Sequence, residues 1–166
     1  MPETILGLPT HVLVIHAVVV LVPLCAAGVV VMLVSPLWRE RLRWPLLILL
    51  TGALASTFVA RQTGRWLQLY LARRGVTSAD IIRHANLGRN ALWFVLAFWV
   101  LAVAWLYVDQ RRKGGGTSVL LLGVLTTVAA VVATGWIVVT GHAGATVVYK
   151  GVVSGVVFEA PSLSGW

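Results

Sequence analysis

Acidic residues are scarce, with five Asp and Glu in 166 residues against thirteen Lys and Arg. Charge of both signs amounts to 11% of the chain, where a soluble domain carries about 25%. An ordinary water-soluble globule is therefore excluded, and lipid is the natural solvent for much of the surface. None of the five carboxylates falls in the middle of an apolar run, which argues against a proton-relay transporter. Cysteine is nearly absent. Cys25 stands alone inside an apolar run, so no intramolecular disulfide, cysteine-based zinc cluster or CxxC redox pair can form. Catalytic signatures are missing too. There is no GxSxG, P-loop or HExxH pattern, and Ser154, Ser162 and Ser164 have no base at informative spacing. The opening MPETILGLP lacks the basic region of a signal peptide, and the apolar run after it is too long for one.

Apolar residues make up 59% of the sequence. The net charge of +8 does not indicate nucleic acid, because the arginines lie between long apolar runs and not along one wet surface. Four stretches match the roughly 20 residues that cross a bilayer, at 11–34, 44–60, 90–108 and 118–140. The expectation is one all-α membrane domain over 1–166, a four-helix bundle with both termini on one side. Pro23 interrupts the first span, while Pro45 falls at the start of the second, where proline is tolerated. Gly52, Ser56, Ala60 and Gly64 make a stripe of small residues for close helix packing.

The connections differ in kind. WRERLR (38–43) and DQRRKGGGT (109–117) read as short basic turns on one side, which marks that side as cytoplasmic. Segment 61–89 and the tail 141–166 then lie outside. Within 61–89, residues 63–74 read as a separate helix in the interface plane, with Trp66, Leu67, Tyr70 and Leu71 on one face. Gly75 ends it, and Thr77-Ser78-Ala79-Asp80 resembles a capping box that starts the next helix. Trp38, Trp44, Trp105 and Tyr107 suit an aromatic belt on the cytoplasmic side, and Trp66 and Trp136 one on the other.

The four histidines carry the chemistry. Threading places His11, His16, His84 and His142 all on the extracytoplasmic side. At about 1.5 Å rise per residue, His11, His84 and His142 come out roughly 18–22 Å from the midplane and His16 roughly 10 Å. An imidazole as deep as His16 is a functional hypothesis by default. His142 lies among the small residues of TGHAGA, which let a bulky ligand approach. His16 and His142 therefore lead as ligands, with His11 and His84 as further ones. Asp80, four residues before His84, is placed to orient its second ring nitrogen. Imidazole suits haem iron, zinc and copper. If His11, His84 and His142 share one level, a three-histidine metal centre is favoured over haem.

Several segments together resemble the bacterial membrane family catalogued as domain of unknown function 2231. They are LGLPTHVLVIHAVVVLVPL (6–24), ARQTGRWL (60–67), RHANLG (83–88) and TGHAGATVVYKG (140–151). The family's histidine motifs fall on His11, His16, His84 and His142. Its second motif often carries an acidic residue where Arg65 stands here. The resemblance implies partners of the Rieske iron–sulfur or cytochrome c type, working outside the cytoplasm. The functional expectation is a subunit linked to respiratory electron transfer that binds b-type haem and exchanges electrons with a quinone or an external redox protein. The alternatives are a cofactor-free accessory or assembly subunit, and a zinc or copper site for metal handling. A free-standing enzyme is the weaker reading.

Overall fold

The computed structural model describes residues 4–5, 8–112 and 115–153. A minimal antiparallel ladder, β1 (Thr4–Ile5) with β2 (Leu8–Pro9), precedes four long helices. These are α1 (Thr10–Val34), α2 (Pro36–Arg73), α3 (Ala79–Arg111) and α4 (Thr117–Val153). All four are long and apolar enough to cross a membrane. They form an up-down bundle in which α1 packs on α2 and α4, and α3 packs on α4 and α2. The diagonal pairs are α1 with α3 and α2 with α4.

The helices are longer than the apolar runs. WRERLR is not a turn, because α2 already begins at Pro36, with Ser35 in extended conformation as its N-cap. Pro36 takes the N-terminal position expected of Pro45, and the helix runs through Pro45. Nor is there a separate interfacial helix. Residues 63–73 continue α2, whose 38 residues measure about 57 Å at about 1.5 Å per residue. The stop is at Gly75, which has φ of 75°. There the amides of Gly75 and Val76 bond back to Ala72 and Leu71. The N-cap of α3 is Ser78, whose Oγ accepts from the Ile81 amide at 3.2 Å. Helix α4 does not end at Thr140 but carries TGHAGA onward to Val153. The remainder of the expected tail, 154–166, lies outside the described residues.

The core shows an internal repeat. Aligning the sequence of α1 with that of α3 so that His11 meets His84 matches buried Val18, Val22, Cys25, Val29 and Met32 with buried Ala91, Val95, Phe98, Ala102 and Trp105. Aligning α2 with α4 so that Gly64 meets Gly144 matches Leu46, Leu50, Ala53 and Thr57 with Thr126, Ala130, Ala133 and Ile137, all buried. The molecule is thus two copies of one helical hairpin about a pseudo-twofold axis along the bundle. Parallel repeats of this sort have their axis along the membrane normal. Trp105, placed by sequence in an aromatic belt, is instead fully buried against Gly123, whose missing Cβ makes room for the indole. Trp136 is also used inside the bundle, where its Nε1–H donates to the Leu87 carbonyl at 2.9 Å and its ring packs on Phe94.

At the end opposite the histidines, a buried ion cluster ties three helices together. Arg39 Nη1 donates to Asp109 Oδ1 at 2.7 Å and Arg43 Nη2 to Oδ2 at 3.3 Å. Arg39 Nε also donates to the Met32 carbonyl at 3.0 Å, near the C-terminus of α1. The negative end of the α1 dipole and the Asp109 carboxylate together balance the buried guanidinium.

Candidate functional site

His11 sits in the first turn of α1 and faces α2. Its Nδ1 lies 3.1 Å from the Ala60 carbonyl and 3.3 Å from Thr63 Oγ1, a hydroxyl that itself donates to Val59 at 2.9 Å. One turn further along α2 is Gly64, where a Cβ would stand 2.9 Å from His11 Cε1. His84 repeats this arrangement in the second hairpin. Its Nδ1 lies 3.0 Å from the Thr140 carbonyl. One turn on is Gly144, where a Cβ would stand 2.9 Å from His84 Cε1. Each imidazole therefore lies flush on a helix backbone that only glycine leaves open.

The chemistry of the ring nitrogens follows. A carbonyl oxygen only accepts, so the proton of each ring is on Nδ1, and the Nε2 lone pair is the one left for a ligand. An N–H fixed on a carbonyl is the usual way a metal-binding histidine is oriented. The two rings meet across the α1–α3 diagonal with centroids 6.3 Å apart and planes at 72°. The pair lies on the pseudo-twofold axis, with one histidine from each half.

The other candidates stand apart from this pair. His16 is exposed on the outer surface of α1, and its Nδ1–H donates to Val12, one turn back on its own helix, at 2.6 Å. Its five-residue offset from His11 turns it about 140° around the helix. His142 is exposed on α4 and lines a groove of about 440 Å³ with Asp80, Arg83, Val138, Val139, Ala143 and Thr146. Asp80 accepts from Lys150 at 2.8 Å. The orienting role expected of Asp80 toward His84 Nδ1 is filled by the Thr140 carbonyl, which Gly144 leaves within reach. Among the described residues no three of His, Cys, Asp and Glu come together as a metal site. The depth argument from sequence favoured His16 and His142, yet the structure brings together His11 and His84.

A family model described as a predicted membrane protein, DUF2231, matches residues 7–156. The chain belongs to the DUF2231 family. No curated protein and no solved structure shows significant similarity to it. The DUF2231 match begins before His11 and ends after Gly144, so both histidine–glycine units lie within it.

Proposed function

We propose that this DUF2231 protein is a small membrane electron-transfer subunit that binds a b-type haem, which His11 and His84 would hold. The observation that carries this reading is the symmetric pair itself. Two imidazoles from diagonal helices have their Nδ1 atoms held on backbone carbonyls and their centroids 6.3 Å apart. A site with two protein ligands suits an ion whose other positions are filled by a macrocycle better than it suits tetrahedral zinc. Arg39, Arg41, Arg43, Arg111 and Arg112 are packed closely at the other end of the helices, whereas Arg61, Arg65, Arg73, Arg74, Arg83, Arg89 and Lys150 are spread along the histidine end; the denser cluster supports, by the positive-inside rule, a haem end that faces out of a bacterial cell membrane. A Rieske or cytochrome c protein is then the type of partner that fits. The two carbonyl bonds would also serve a cofactor-free accessory subunit as pins between helices.

Absorption spectra of the purified protein, produced with ample haem, separate these readings. The expected result is a Soret band with sharp reduced α and β bands, lost in His11→Ala and His84→Ala and kept in His16→Ala. A protein that takes up no haem under these conditions, or keeps it in both His11→Ala and His84→Ala, overturns the proposal. Bound zinc or copper in place of haem would support metal handling.

A further inference from the structure

The groove beside His142 is not part of the histidine pair, but it shares its walls. Arg83 lines the groove and its neighbour His84 belongs to the pair; Ala143 lines the groove and its neighbour Gly144 meets the His84 ring. The lining mixes two chemistries. Val138 and Val139 are exposed on the outer face of α4, whereas Asp80, Arg83, His142 and Thr146 supply hydrogen-bonding groups. A volume of about 440 Å³ falls within the range of roughly 300–1,000 Å³ found for small-molecule sites. The pseudo-twofold axis makes the groove specific to one half, because the counterparts of His142 and Thr146 in the first hairpin are Gln62 and Trp66. Symmetry has been kept at the histidine pair and broken here.

Resting on the haem reading above, we infer that this groove binds the ring of a lipid-soluble hydroquinone, the electron donor to the site. A hydroquinone arrives through the bilayer, has an apolar ring for the valines, and has two hydroxyls that need partners. Its oxidation to quinone breaks two O–H bonds and releases two protons and two electrons. One proton goes to the His142 imidazole and the other to water at the groove mouth. The two electrons would leave singly to the one-electron centre that His11 and His84 would hold, and a water-soluble one-electron acceptor would take up each in turn. Arg83 donates hydrogen bonds to the quinone oxygen.

The test uses the intact protein in detergent with duroquinol and a photoreactive azidoquinone. Duroquinol is expected to reduce the bound haem, and His142→Gln to slow that reduction at least tenfold. The haem content and the dithionite-reduced spectrum should stay unchanged in this variant. Glutamine is the residue already present at the equivalent position 62, so the substitution suits the helix. Azidoquinone is expected to label residues 138–146, with or without haem. An unchanged rate in His142→Gln, or labelling confined to another helix, overturns the inference. Absence of haem with labelling at 138–146 would sink the haem reading and leave the groove assignment standing. Labelling that anionic phospholipid abolishes and excess unlabelled quinone does not would identify a lipid headgroup site and overturn the quinone assignment.

Discussion

Alanine at Gly64 or Gly144 should destabilise the protein, although alanine is the better helix former. At position 144 the new Cβ would stand 2.9 Å from His84 Cε1 and 3.2 Å from Nδ1; at 64 it would stand 2.9 and 3.3 Å from the same atoms of His11. Unstrained carbon contacts lie at about 3.5–4.0 Å, so the ring must retreat by about half an ångström or more. It cannot do so and keep its carbonyl bond, which already spans 3.0 Å for His84 and 3.1 Å for His11. Losing that bond costs about 0.5–1.5 kcal/mol, and forcing a methyl into a packed site costs about 1–3 kcal/mol. Helix propensity returns about 1 kcal/mol. The net expectation is about 1–3 kcal/mol of destabilisation, of similar size at the two positions because the sites are equivalent. Gly52→Ala and Gly135→Ala are the controls: nothing lies within 4 Å of a Cβ there, so propensity alone should make them neutral or up to about 1 kcal/mol more stable. Equilibrium unfolding in mixed micelles, followed by tryptophan fluorescence, measures all four variants. If Gly64→Ala and Gly144→Ala matched or exceeded the wild type, as the controls should, the tight imidazole–glycine contact would be refuted.

Three further outcomes are expected. Asp109→Ala leaves buried Arg39 and half-buried Arg43 without their carboxylate, a loss of about 3–5 kcal/mol; the same unfolding assay should show it, with partial recovery in Arg39→Met/Asp109→Leu, where Arg43 alone stays unpaired with Asp109. Trp136→Phe removes the 2.9 Å bond to Leu87 and should cost about 0.5–1.5 kcal/mol, while a change below detection would show that the bond contributes nothing net. In a Cys25→Ala background, an impermeant thiol reagent applied to whole cells should label Thr77→Cys and spare Gly115→Cys, and the reverse pattern would invert the orientation argued from the basic residues.

The four helices were legible because long apolar runs admit few other structures. Their ends were not, because charge was taken to end a helix when it only ends a membrane span. Arg, Leu, Trp and Gln are all compatible with a helix, so α2 runs through WRERLR at one end and through 61–73 at the other, until Gly75 stops it. Conversely, the apolar run alone ends the fourth span at Thr140, ahead of most of TGHAGA. In the structure Gly144 lies inside α4 because a histidine packs on it. The histidine pair was legible as a set of four candidates but not as a pair. Depth ranks residues along the bilayer normal and says nothing of which face they occupy, and His16 lies on the outer one. One sequence signal was missed. A histidine near the start of an odd-numbered helix is matched by Ala60 with Gly64, or Thr140 with Gly144, on the even-numbered helix that follows. Comparing the two halves of the chain finds that pattern.

The two ends of the bundle are built to different rules, which bears on where a ligand enters. At the arginine end the repeat is broken: Arg39 and Asp109 have Val119 and Pro36 as counterparts, and neither can form an ion pair. The resulting cluster joins α1, α2 and α3 through buried charge-assisted bonds, the costliest kind to separate. At the histidine pair itself the repeat is kept. The described polar bonds of His11 and His84 run within each hairpin, from α1 to α2 and from α3 to α4. Across the diagonal the imidazoles meet edge to face, with no hydrogen bond described between them. A flat ligand entering between them would not have to break either carbonyl bond, and the ion cluster would keep the hairpins joined while it did so.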